Sequence, residues 1–133
     1  MGAILGELAA RLDEMNQMIV RGDVDGLRPF YAADVECRHP GGPPFSGVDA
    51  QLQRLRTALQ DYRFDEIRTV WAVESEDAVA AEMVYLLQHL PTQRRAQIVS
   101  MGMLRFHDGL VVTEHECFDL KDAEAQLAGD APT

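Results

Sequence analysis

Few side chains in this chain are placed to do chemistry, and most of them stand on β-type segments. His39 closes the alternating run Val35-Glu36-Cys37-Arg38-His39, just before the loop Pro40-Gly41-Gly42-Pro43-Pro44. Its imidazole titrates near neutral pH and can give or take a proton. Toward the other end, Glu114-His115-Glu116-Cys117 lies inside an apolar run that begins at Leu110. Successive strand side chains point to opposite faces, so either Glu114 and Glu116 or His115 and Cys117 face inward. Glutamates on an inner face would be desolvated, which raises a carboxyl pKa toward neutrality. One of them with His39 would then form a general acid/base couple, each partner worth roughly 10²–10⁴-fold in rate. Tyr85 adds a phenolic donor that could polarise a carbonyl or epoxide oxygen.

Other chemistries find no matching pattern. His39, His89, His107 and His115 are dispersed and lack the helical spacing of a zinc protease, so no metal site is expected. The chain has no glycine-rich phosphate loop and no nucleophile elbow, and no cofactor is expected. Cys37 and Cys117, the two cysteines, form neither a disulfide framework nor a CxxC unit.

The elements that must position these groups follow from periodicity. Ile4, Leu5, Leu8, Leu12, Met15, Met18 and Ile19 recur at helical spacing, and Arg21-Gly22 ends that helix. Asp23 can cap a second short helix over 24–33, with Pro29 inside it. A short strand over 35–39 follows, then a loop and a third helix carrying Leu52, Leu55 and Leu59. From Tyr62 the pattern changes to long β-type segments over 63–73, 78–90, 96–106 and 110–120. Asp108-Gly109 marks a tight hairpin between the last two. Residues 121–133 read as a short helix or a fraying tail, and we place a single domain over 1–122 with a C-terminal tail over 123–133.

At 133 residues with 47% hydrophobic content, the chain suits one globular domain. A net charge of −10 argues against nucleic acid and anionic lipid as partners, since both need clustered positive charge. No apolar run is long enough for a transmembrane helix. Glu7 and Arg11 arrive too early for a secretory signal, and the expected compartment is the cytoplasm.

The order and local phrases of these elements resemble the nuclear transport factor 2-like superfamily, in particular its SnoaL-like polyketide cyclases and ketosteroid isomerases. The likeness is carried by Arg21-Gly22-Asp23-Val24-Asp25-Gly26-Leu27, by Cys37-Arg38-His39-Pro40 through Ser46-Gly47, and by Leu104-Arg105-Phe106-His107-Asp108-Gly109-Leu110 through His115. It implies a cone-shaped α+β barrel: three N-terminal helices packed in a curved, mainly antiparallel sheet, with a pocket between them. It also puts His39 where ketosteroid isomerases carry their base, while Met15 and Gly102 stand in place of the oxyanion donors, which disfavours that particular activity.

The resemblance sets a strand phase in which Val112, Glu114, Glu116 and Phe118 face the cup, as do Met83, Tyr85, Leu104 and Phe106. His39, Glu114, Glu116 and Tyr85 are then the candidate catalytic residues. Met15, Met18, Tyr31, Trp71, Met83, Leu104, Phe106 and Phe118 are the candidate ligand contacts. Val84, Leu86, Val99, Met101 and Met103 would lie on the outer face, enough apolar surface to expect a homodimer through the sheet. The implied function is cofactor-free acid/base chemistry on a small apolar oxygenated molecule, of cyclase, isomerase, dehydratase or epoxide hydrolase type. Alternatives are a hydrophobic-ligand-binding protein without chemistry and an interaction module in which the outer sheet matters.

Overall fold

A computed structural model describes residues 6–128. Ile4, Leu5 and the last five positions of the expected tail lie outside them. Helix α1, Glu7–Arg21, buries Ala9, Leu12 and Met15 along one stripe. It stops where Gly22 takes φ 75°, a left-handed conformation that glycine reaches without a Cβ clash. The N–H groups of Gly22 and Asp23 then donate to the carbonyls of Ile19 and Met18 at 3.0 and 2.9 Å. The other end is completed from far along the chain: the Glu74 carboxylate accepts from the Leu8 and Ala9 amides at 3.2 and 3.3 Å. That satisfies two of the donors a helix start leaves free.

The expected second helix shrinks to a 3-10 turn, Asp25–Phe30. Pro29 supplies no N–H for a continuing α-helix and disfavours the α conformation at Arg28. Strand β1 therefore begins at Tyr31 and runs to Arg38. After the two-residue strand β2, Phe45–Ser46, comes α2, Val48–Asp61. Strands β3, Tyr62–Glu74, β4, Ala78–His89, β5, Arg94–His107, and β6, Leu110–Phe118, follow. A third helix, α3, spans Leu120–Ala128. The expected boundary after Asp122 thus falls inside a helix. Its Ala123 is buried in a cluster with Leu87, Ala96 and Ile98.

The six strands form one curved, open, mixed sheet in the order β2-β1-β6-β5-β4-β3. All neighbours are antiparallel except β1 and β6, which run parallel with Cys37 opposite Glu114 and Arg38 opposite His115. This pairing brings the two chemical ends of the sequence together. On the β5–β6 hairpin, Asp108 and Gly109 both take positive φ, 50° and 78°, as a two-residue turn of this hand requires. A bulge sits just beyond it. Arg105 pairs with Thr113 but Phe106 pairs with Val111, so Val112 is an extra residue. Val111, not the expected Val112, is fully buried.

Docking of α3 should be felt in stability. Ala123→Asp would bury an unpaired carboxylate and is expected to cost about 2–3 kcal/mol in urea unfolding. An unchanged midpoint would mean that the helix frays as a tail.

Candidate functional site

The parallel β1–β6 pair fixes the centre of the site. His39 lies one residue past β1, and Glu114 and Glu116 point from β6 toward it on the inner face. His39 Nδ1 lies 3.1 Å from Glu116 Oε1, and Nε2 lies 2.8 Å from Glu114 Oε2. The second contact is close but not aligned as a hydrogen bond, so the buried Nε2 has no directed acceptor. All three side chains are at most 15% exposed. The ring of Phe45 on β2 lies nearly parallel to the imidazole, with centroids 6.0 Å apart.

Each carboxylate has its own set of donors. Glu116 accepts from the Tyr85 hydroxyl and from Ser100 Oγ, the latter at 3.0 Å. Glu114 accepts from Tyr31 OH at 2.7 Å and from Gln51 Nε2 at 2.6 Å. Gln51, on α2, is held in turn by Arg54 Nε, which donates to its Oε1 at 3.2 Å. Two tyrosine–glutamate pairs therefore flank one histidine.

The electrostatics follow from burial and hydrogen bonding. Burial, the largest influence on His39, favours the neutral ring. Close contacts with Cys37, Glu114 and Glu116, the charge of Glu114 among them, outweigh it and raise the pKa from 6.5 to about 10. At neutral pH the ring is an imidazolium. Burial would raise the Glu116 pKa, but hydrogen bonds from His39, Tyr85 and Ser100 outweigh that and bring it below 4.5. The Tyr31 and Tyr85 hydroxyls are pushed well above 10.0, by burial first and by the adjoining carboxylate second, and so stay protonated.

A cavity of about 100 Å³ opens over this array. Of the residues expected to line it, Tyr31, Met83 and Leu104 do, together with His39, Tyr85, Glu114 and Glu116. The others lie elsewhere. Met15 is buried on the core face of α1 and Met18 packs on the same core. Phe106 is a core residue bordering a separate, acidic hollow, and Phe118 packs with the α3 cluster. Trp71 is half exposed, because the strand irregularity between Thr69 and Trp71 takes it off the inner phase.

The site also holds residues not singled out above: Gln51, Ser100, Asn16 and Arg54. Gln51 is three and four positions from Val48 and Leu55, so helical periodicity already put it on the buried face of α2. Asn16, buried on α1, donates to Met83 Sδ at 3.3 Å. Gly102 leaves room for Met83: a Cβ there would stand 2.6 Å from Met83 Cε. Cys37, His39 and Glu114 offer ligand atoms within 4.8 Å of one another, the one such trio among the described residues.

Helices on the inner face of a curved, open mixed sheet, with a cavity between them, make an α+β fold. The profile of the SnoaL-like domain matches residues 12–114, and the chain belongs to that family. Among solved structures, it is similar to an M. tuberculosis LEH-like epoxide hydrolase, with a TM-score of 0.76 and 19% identity over 90% of this chain and 87% of that one. A candidate polyketide cyclase from Xanthomonas campestris gives 0.81 and 21% over 89% and 94%. A candidate isomerase from Rhodopseudomonas palustris gives 0.83 and 15% over 96% and 100%. At these identities the likeness is one of fold.

The array makes stability depend on pH with a defined sign. The raised His39 pKa contributes fully below 6.5 and is lost as pH rises through about 10. The lowered Glu116 pKa contributes above 4.5 and is lost as pH falls through its folded value. Urea midpoints should peak between pH 4.5 and 6.5 and fall on both sides. His39→Gln should abolish the alkaline decline; its persistence in that variant would place the effect elsewhere.

Proposed function

We propose that this protein is a cofactor-free enzyme of cyclase, isomerase, dehydratase or epoxide hydrolase type. Its substrate is a small apolar oxygenated molecule, polyketide-like compounds included. The observation that carries the reading is a buried imidazolium held between two carboxylates on a cavity floor, with an Nε2–H that lacks an aligned acceptor. A buried donor without a partner in the free protein is a place for a substrate oxygen.

The roles follow from protonation. With a pKa near 10, His39 is a proton donor at neutral pH and not a base. Its Nε2–H would stabilise negative charge developing on a carbonyl or epoxide oxygen. Glu114, adjacent to Nε2, takes a proton from the carbon beside that carbonyl, or from the water that opens an epoxide. Glu116 has three donors and stays ionised, so its part is to hold the imidazolium. Tyr85 fixes Glu116, and Tyr31 fixes Glu114. The name of the M. tuberculosis structure supports the epoxide arm of this reading, and that of the Xanthomonas structure the carbon-acid arm.

Two assays cover both arms. Deuterium entry into cyclic ketones in D₂O, followed by NMR, reads proton abstraction from carbon. Incorporation of ¹⁸O from labelled water into small epoxides reads ring opening. Turnover is expected in at least one, about 100-fold slower in Glu114→Gln and at least about tenfold slower in His39→Gln. The kcat/KM profile should be level through neutrality and fall on the alkaline side as His39 loses its proton near 10.

A binding protein without chemistry is the second reading. It is favoured by Met15 and Gly102, which supply no oxyanion donor where the resemblance would put one. Ligand binding with no turnover in either assay would decide for it. The free thiols Cys37 and Cys117 suit a reducing cytoplasm.

The outer sheet face supports a homodimer. Val99, Met101 and Met103 are about half exposed on β5, and the register carries them across to Val84, Trp71 and Val73. Glu82 stands between Met101 and Trp71, but so many exposed apolar side chains on one sheet face are rare on a monomer. Light scattering should give twice the chain mass, and Met101→Lys should give a monomer that keeps its fold. A monomeric wild type at about 100 μM would remove the sheet interface, since even micromolar affinity would show there.

A further inference from the structure

One cation lines the cavity besides His39. Arg54, on α2, shares the lining with Leu55, Ala58 and Phe64. It is partly buried, and its Nε is spent on Gln51 Oε1. That bond fixes the plane of the guanidinium. Arg28, Arg56, Arg63, Arg68 and Arg95 each meet a carboxylate within 4 Å. Arg54, like Arg11, Arg21, Arg38, Arg94 and Arg105, has no such partner among the described residues, and of these six it alone lines the cavity.

We propose that the free edge of the Arg54 guanidinium binds a carboxylate of the substrate, so that the ligand is a small apolar carboxylic acid. A planar fork with one nitrogen already anchored is set to take two oxygens of a planar anion side by side. A phosphate would fit the fork, but its second charge would enter a cavity that already holds Glu114 and Glu116, and like charges there are costly. Gln51 and Glu114 link Arg54 to His39 in an unbroken chain of contacts at 3.2, 2.6 and 2.8 Å. The carboxylate is therefore held at one end of the cavity and the reacting oxygen at the other. The cavity, about 100 Å³, suits a small ligand. The inference rests on the functional reading above for the reacting end, but not for binding itself.

Calorimetric titration with cyclohexanecarboxylate and with its neutral carboxamide tests it without any turnover. Wild-type protein should bind the acid about tenfold more tightly than the amide, a difference of about 1.4 kcal/mol. Arg54→Gln should erase that preference while leaving the amide affinity within about twofold. Arg54→Lys should restore part of it, as a point charge without the fork. Equal affinity for acid and amide in the wild type would overturn the proposal, as would a preference that persists in Arg54→Gln. Phenyl phosphate binding more tightly than benzoate would overturn the choice of carboxylate. Absence of turnover, which would sink the acid/base reading, leaves these binding ratios untouched.

Discussion

Two carboxylates cannot share one small buried space unless a cation sits between them, and here that cation is His39. Opposite unit charges 4 Å apart attract by about 4 kcal/mol at an effective dielectric near 20, and both His39 contacts are closer than that. Without the imidazolium, one glutamate would have to take up a proton or leave the cavity. The surroundings reinforce the same arrangement. Tyr85 and Ser100 donate to one carboxylate, Tyr31 and Gln51 to the other, and Arg54 holds Gln51. These side chains are thus each engaged with an ion of the triad or with a neighbour that is.

This constraint explains features of the fold that would otherwise look arbitrary. The parallel β1–β6 pair exists in a sheet that is antiparallel everywhere else, and it alone puts the end of β1 beside Glu114. The bulge at Val112 lets the hairpin close with Val111 in the core while both glutamates stay inside. Had β6 continued without it, a core valine near the turn would have forced the glutamates onto the outer face, since strand side chains alternate strictly.

Much of the fold was legible because its signals are local. Gly22 ends α1, Asp108-Gly109 makes the hairpin, and the apolar stripe of α2 is where helical spacing puts it. What escaped was set by long-range geometry. Pro29 shortened the second helix against an otherwise helical pattern. Trp71 moved outward through a strand irregularity that no residue type announces. Phe106 and Phe118 lie on the expected inner face, but at its far ends, where a second hollow and α3 occupy the space instead. Arg54 was hidden differently, because an arginine on a helix reads as surface until its neighbours are known. Gln51 was accessible in principle, since a polar residue at a core position of a helix invites the question of its partner.

The state of His39 also reverses the chemistry that its residue type suggests. A histidine before a proline-rich loop invites the role of base, because an isolated imidazole is half neutral near pH 6.5. Held between two carboxylates it keeps its proton, and the basic function passes to the glutamate whose charge it balances. Protonating Glu114 during a reaction would remove part of what keeps the imidazolium charged, so the His39 pKa must fall as Glu114 picks up its proton. The acid therefore strengthens at the moment the base has acted, which is when a developing alkoxide or enolate needs a proton. One shared charge thus couples the two half-steps of proton transfer in opposite directions, and no cofactor is required for that coupling.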